Sequence, residues 1–298
     1  VPFLKEAALS QHNASSPIHT SNPIYPAVIR DGDFLLQPKQ DLNRFLDLEL
    51  KTPKLNKLLP HLWLAGLPKS ARPLHRQIIT GRTIIRTEDP NEHLVWIESR
   101  IFIKPLPIYL FSYDFWIEHL CHDRELYKSA CGLILSYAWL VSYQSDLRIA
   151  IETGLLPPET EWAKWTAFIA DFLAHCNPDT LELVHERYHF GELRLTRLNA
   201  IHRIKSVSLH RCTRGYMSSS TWYRAFFSKN FAWLVAVFFY ITVILSAMQV
   251  GLATEKLQQS QAFQNASWGF AMLAVGAVIF SVFVVLCVWL VLCLYHLV

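Results

Sequence analysis

Charge is scarce in this 298-residue chain: Asp, Glu, Lys and Arg make up 17% of it, where a soluble domain carries about a quarter. Glycine is scarce as well, ten in all. Neither G-x-x-x-x-G-K-[ST] nor G-x-G-x-x-G occurs, so the familiar phosphate-cradling loops are missing. No G-x-S-x-G elbow surrounds a serine, although Ser218-Ser219-Ser220 follows Gly215. The cysteines, at 121, 131, 176, 212, 287 and 293, form no C-x-x-C pair. They read as reduced, mostly buried thiols rather than a disulfide framework. The first residues show no uninterrupted apolar stretch of signal-peptide type. The net charge of +4 is mild and taken alone says little about partners; a nucleic-acid partner is not expected.

What the chain has instead is apolar length. Residues 231–253 (FAWLVAVFFYITVILSAMQVGLA) and 268–295 contain no Asp, Glu, Lys, Arg or His. Each run exceeds the roughly 20 residues that carry a helix across a ~30 Å hydrocarbon layer. Thr242, Ser246, Gln249 and Ser281 are the polar members and suit interhelical hydrogen bonds or bonds to their own backbone. A proton relay, which needs intramembrane ionisable groups, has no support. From 187 to 229 the chain carries Arg187, Arg194, Arg197, Arg203, Lys205, Arg211, Arg214, Arg224 and Lys229 against Glu192 alone. The connection between the runs holds only Lys256 and Glu255. The excess of cations on one side predicts a multi-pass membrane protein with both termini cytosolic and the connection outside. The sequon at Asn13 is then cytosolic and unmodified, while that at Asn265 abuts the membrane.

The predicted fold is mainly α: a cytosolic helical domain with a small β-hairpin element, followed by a C-terminal two-helix transmembrane hairpin. The expected divisions are a loose N-terminal segment (1–33), a cytosolic domain (34–210), a basic juxtamembrane segment (211–230), a first span (231–253), an outer loop (254–267) and a second span (268–295). Helical spacing covers 41–50, with Leu42, Phe45, Leu46 and Leu50 near one face. TIIRT and HLVWIESRIFI, between 81 and 103, read as a hairpin around Asp89-Pro90-Asn91. Further helices are expected over 114–121 with Asp114 as cap, over 129–152 ending at Gly154, and over 161–175. Another starts at Asn177-Pro178. The apolar stretch 129–143 is too short for a span and reads as a buried central helix.

Two patterns bear on function. GELRLTRLNAIHRIK (191–205) places arginines and leucines at helical spacing, so Leu193, Leu195 and Leu198 pack while Arg194, Arg197 and Arg203 stay wet. With Lys205, Arg211, Arg214, Arg224 and Lys229 they form a basic collar suited to anionic lipid, each worth about 1 kcal/mol near a bilayer. His185-Glu186-Arg187-Tyr188-His189 matches H-E-x-x-H, which on a helix puts two histidines on one face to hold zinc. Arg187 places a cation inside that pattern, and Glu192 and Leu195 stand where a metzincin needs Gly and His. His119, Cys121, His122 and Asp123 cluster without a second ligand pair and read as a polar helix end.

The stretches LWLAGLP (62–68), LHRQ (74–77), HLVW (93–96), RIFIKPLP (100–107), LSYAWL (135–140), FGELRLTRLN (190–199) and AMQVGLAT (247–254) resemble a filamentous-fungal family of two-pass membrane proteins of unknown function. The similarity runs from about residue 35 to the end. It implies the two-pass topology and no catalytic residue. The layout is also similar to CorA-type magnesium channels, whose first span ends in Gly-Met-Asn. Here Ala247, Met248 and Gln249 occupy that place, so both the Gly and the Asn are replaced. The expected function is a non-enzymatic membrane-anchored interaction or scaffold protein, without a cofactor, binding membrane lipids and a protein partner or a second copy. The alternatives are a cation channel with its path at Met248 and Gln249, and a zinc hydrolase using His185 and His189.

Overall fold

The computed structural model describes residues 1–9, 25–32, 34–178, 180–205, 216 and 221–297. The chain divides into two units, Val1–Ser218 and Ser219–Val298.

In the first unit, β1 (Ile29–Asp31) and β2 (Phe34–Leu36) form an antiparallel ribbon. Helix α1 (Leu42–Leu50) starts where the Asp41 carboxylate accepts the Arg44 N–H at 2.9 Å, and it buries Phe45, Leu46 and Leu50 as its spacing predicts. Three short helices follow: α2 (Pro53–Asn56), α3 (Leu62–Ala65) and α4 (Leu74–Ile79). Strands β3 (Thr83–Arg86), β4 (Val95–Ile97) and β5 (Arg100–Ile103) come next. Helices α5 (Arg124–Leu140), α6 (Gln144–Glu152) and α7 (Trp162–His175) build the centre. Strand β6 (Leu193–Arg194) and helix α8 (Leu195–Lys205) complete the unit.

The main core gathers α1, α5 and α7 around Trp116, Tyr137, Trp165, Phe168 and Phe172, all buried. Helix α5 is the buried central helix expected from its apolar stretch. A smaller core joins Leu55, Leu58, Leu62 and Ala65 to Leu195, Leu198, Ile201 and Tyr216.

Several expectations change. The β element is a four-stranded mixed sheet in the order β3-β5-β4-β6. Strands β3 and β5 run parallel, so Asp89-Pro90-Asn91 is not a hairpin turn. The Asp89 carboxylate instead caps a 3-10 turn, Pro90–Glu92, inside the crossover from β3 to β4. The true hairpin joins β4 to β5 through Glu98, which adopts a positive φ of 51°. The helix expected over 129–152 is two helices. Asp123 starts α5 by accepting the N–H groups of Glu125 and Leu126, and the chain leaves the helix at Val141 before α6. Ser112, not Asp114, caps the turn Tyr113–Phe115, which continues as a π-helical turn, Trp116–Leu120. Among the described residues no helix begins at Asn177-Pro178: Leu181 takes a φ of 54°, and the backbone turns so that the His185 N–H reaches the Lys128 carbonyl at 3.1 Å. The N-terminal segment is not uniformly loose. Phe3 is buried against Trp116 and Phe168, and β1 lies within 1–33; residues 10–24 and 33, including the Asn13 sequon, lie outside the described residues.

The second unit is a helical hairpin: α9 (Thr221–Leu252), a turn at Glu255–Gln258, and α10 (Gln261–Leu297). Helix α10 starts inside the stretch read as loop, so the connection is shorter than expected and Asn265 is helical. Gly251 permits the close return of α10, since a Cβ there would stand 2.8 Å from Phe263 Cζ. Two stretches, Val235–Leu252 and Gln261–Ser281, are long and apolar enough to cross a membrane. A core helix of a soluble protein would be mostly covered, but 0% of the first stretch and 11% of the second are buried.

Asp146, wholly buried, accepts the N–H of His75 at 2.7 Å, the His75 ring nitrogen Nδ1 at 2.8 Å and the Tyr143 N–H at 3.0 Å. One carboxylate thus starts both α4 and α6. Losing it in Asp146→Ala strands two helix ends, and chemical denaturation is expected to read a loss of roughly 2 to 4 kcal/mol.

Candidate functional site

The basic block at 191–205 is built on a half-buried carboxylate. Glu192 receives Arg72 in a two-pronged pair, Nε to Oε1 at 2.9 Å and Nη2 to Oε2 at 2.7 Å. It also accepts the Gln77 side-chain amide at 2.8 Å, Arg82 Nη1 at 2.6 Å and the Arg72 backbone N–H at 3.1 Å. Hydrogen bonds from Arg72, Arg82 and Gln77 overcome the opposing effect of burial and hold the carboxyl down at about 2. The backbones meet closely as well. The Gly191 N–H donates to the Lys69 carbonyl at 2.8 Å, and a Cβ on Gly191 would lie 2.4 Å from the Ala71 nitrogen. The sequence signal for this contact is the pair of blocks LWLAGLP and FGELRL, which pack on each other.

From that base, the sheet presents cations. Arg82 lies over one side of the Trp96 ring with its guanidinium carbon 4.1 Å from the centroid, and Arg194 approaches the same ring at 5.2 Å. Trp96 and Arg194 are register partners in the parallel β4–β6 pair. Arg197, exposed on α8, donates to the Leu64 carbonyl at 3.2 Å and so sits beside α3. Leu193, Leu195 and Leu198 are buried and Arg194 and Arg197 exposed, although Leu193 and Arg194, inside the stretch read as helical, form a strand and the helix begins only at Leu195. Of the other collar residues, Arg203 and Lys205 have their backbone in α8, and Arg224 and Lys229 have theirs in α9; their side chains lie outside the described residues. Arg211 and Arg214 lie outside them entirely. Met248 is half-buried and Gln249 exposed, both in the last turns of α9.

The zinc geometry is not built. His185 precedes a 3-10 turn, Glu186–His189, so the two histidines do not share an α-helical face. The His185 Nδ1 accepts the Arg187 N–H at 3.2 Å, and burial lowers its pKa. Arg187 is buried and binds carbonyls, His93 O at 2.7 Å and Phe190 O at 2.5 Å. Among the described residues no group of three or more His, Cys, Asp or Glu could hold a metal ion. Asp123, from the other cluster, is engaged as the α5 cap and by Lys51 at 2.9 Å.

A Ser–His contact that the sequence did not announce lies in the core. His93 accepts the Lys104 N–H at Nδ1 (3.1 Å), which leaves Nε2–H to face the Ser136 hydroxyl at 2.8 Å. Ser136 donates its own proton to the Leu133 carbonyl at 2.6 Å. Every group is paired and buried, so the hydroxyl is a structural link rather than a nucleophile. The Lys104 ammonium, wholly buried, is neutralised by Glu49 at 2.7 Å.

Burial, reinforced by Arg187 and Lys104, drives the His93 pKa well below its ordinary 6.5. The unfolded chain therefore binds a proton that the folded chain refuses. This contribution to stability is full above pH 6.5 and is lost progressively as pH falls below it. Thermal melts of the unsubstituted protein are expected to fall through that window, and His93→Gln should flatten the slope. Gly191→Ala should cost about 1 to 3 kcal/mol or more, since the obstructing atoms are backbone.

No curated protein and no solved structure matches the chain. A family model does, over residues 42–278, spanning the small core, the Glu192 assembly and most of the apolar hairpin. The chain belongs to this family of unknown function (DUF6601).

Proposed function

We propose that this chain is an integral membrane protein, held by α9 and α10, whose first unit is a non-enzymatic docking domain on the cytosolic face. The observation that carries this reading is the uncovered apolar surface of Val235–Leu252 beside a stretch, 187–229, with nine cations and one acid. Arg194 and Arg197 then meet the phosphates of an anionic leaflet, and in sequence Arg203, Lys205, Arg211, Arg214, Arg224 and Lys229 continue the basic run up to the first span. Lipid is the first partner in this reading, with a protein or a second copy recruited alongside it.

Topology mapping in sealed microsomes tests it. Protease added outside is expected to digest the first unit, and Asn13 should carry no glycan. A glycan acceptor placed in the Glu255–Gln258 turn should be modified when spaced from the bilayer by an inserted linker. A glycan on Asn13, or extraction of the protein by alkaline carbonate, overturns the reading.

A further inference from the structure

The small core has a second side. Helix α3 turns Leu62 and Ala65 inward onto Leu195, Leu198 and Ile201, and this leaves Trp63 and Leu64 pointing away from it. Trp63 is 63% exposed, Leu64 41% and Leu67, just past the helix, 67%. Three large apolar side chains within five residues are seldom left in water without a purpose, and a tryptophan among them is characteristic of the membrane–water interface. The charges around them are mostly cationic. Between Glu49 and Glu88 the sequence contains no acid, and Lys57 and Lys69 flank the turn, while Arg72 is paired with Glu192. Arg197 is bonded to the Leu64 carbonyl itself, and Arg194 projects from the adjoining strand. Amphipathic groups ringed by cations fit an anionic bilayer surface better than the mixed-charge face of a protein.

We propose that Trp63, Leu64 and Leu67 form an interfacial wedge that enters the headgroup layer of the leaflet crossed by α9, with Arg194 and Arg197 against its phosphates. This rests on α9 and α10 spanning the bilayer. The wedge adds a third attachment, reversible and dependent on anionic lipid, which sets the orientation of the first unit. It makes the domain a reader of leaflet charge: docked on an anionic surface, released on a neutral one.

The test uses the full chain in lipid nanodiscs, with an environment-sensitive fluorophore at Leu64→Cys in a Cys121→Ser background. The Cys121→Ser chain labelled alone supplies the blank. In discs containing phosphatidylserine the label is expected to shift to the blue and to be quenched by nitroxide-bearing acyl chains. In phosphatidylcholine discs both signals should weaken. Arg194→Gln with Arg197→Gln should shift the docking equilibrium by roughly tenfold to thirtyfold toward release in phosphatidylserine discs, and added salt should do the same. A label on Ser246→Cys reports the spans in the same discs. Quenching at 246 without quenching at 64 overturns the wedge and leaves the membrane reading intact; no quenching at either position overturns both. A blue shift at 64 that nitroxide lipids do not quench means that protein, for instance a second copy, covers the turn, and this also overturns the wedge.

Discussion

The ionised carboxylate of Glu192 is the constraint on which the outer half of the first unit depends. It draws in Arg72, Gln77 and Arg82 from a segment more than a hundred residues earlier. Arg82 is almost wholly buried and needs that anion, and Trp96 then has a fixed cation to stack on. With the Gly191 N–H on the Lys69 carbonyl and the Glu192 carboxylate on the Arg72 N–H, the chain enters β6 in a fixed place, and Leu193 and Arg194 pair with Val95 and Trp96 of β4. The position of α8, and so of the small core, is set by that register. Ion pairs of this kind contribute less to net stability than to choosing one arrangement among many. Here the arrangement chosen is the one that brings Arg194 and Arg197 beside α3.

Several of the polar groups that looked chemical are engaged elsewhere, while the His189 Nε2 is buried without a hydrogen-bond partner among the described residues. His185 caps a turn, Arg187 ties two carbonyls, Asp123 starts a helix and His93 bridges Lys104, just past β5, to Ser136 on α5. In a chain with so many aromatic residues, polar side chains are what fix the direction in which the apolar ones pack. Lys104, sunk beside Glu49 with its own carbonyl held by the Tyr137 hydroxyl, does this at the sheet's inner end. A motif such as H-E-x-x-H has meaning only on the element that spaces its residues, and a 3-10 turn spaces them differently.

Much of the helical architecture was legible because its signals are local. Asp41 marks the start of α1, the aromatic amphipathic stretch marks α7, and the long uncharged runs mark α9 and α10. The sheet was less legible. A parallel pair such as β3–β5 depends on the path the chain takes after leaving the first strand, and the Asp89-Pro90-Asn91 turn suits a hairpin and a crossover equally well. Strand β6 is two residues long and runs directly into α8, so the helical spacing of its Leu and Arg concealed it. At the candidate site, the identity of the exposed arginines could be read from spacing, but their neighbours could not. Trp63 and Leu64 lie in a single helical turn, too short for periodicity to distinguish an outward face from a core face.

The distance in sequence between the partners of Glu192 governs how the protein must be made. Arg72 leaves the ribosome 120 residues before the carboxylate it requires, and Tyr216, the last described part of the small core, is among the final residues of the first unit to be synthesised. Until then the segment from α2 to β5 lacks its partner and keeps Arg82 and the inner faces of Leu55, Leu58 and Leu62 unsatisfied. By the time Tyr216 emerges, α9 is already being translated. Completion of the domain and synthesis of the apolar hairpin therefore fall in the same interval, and each has apolar surface uncovered during it.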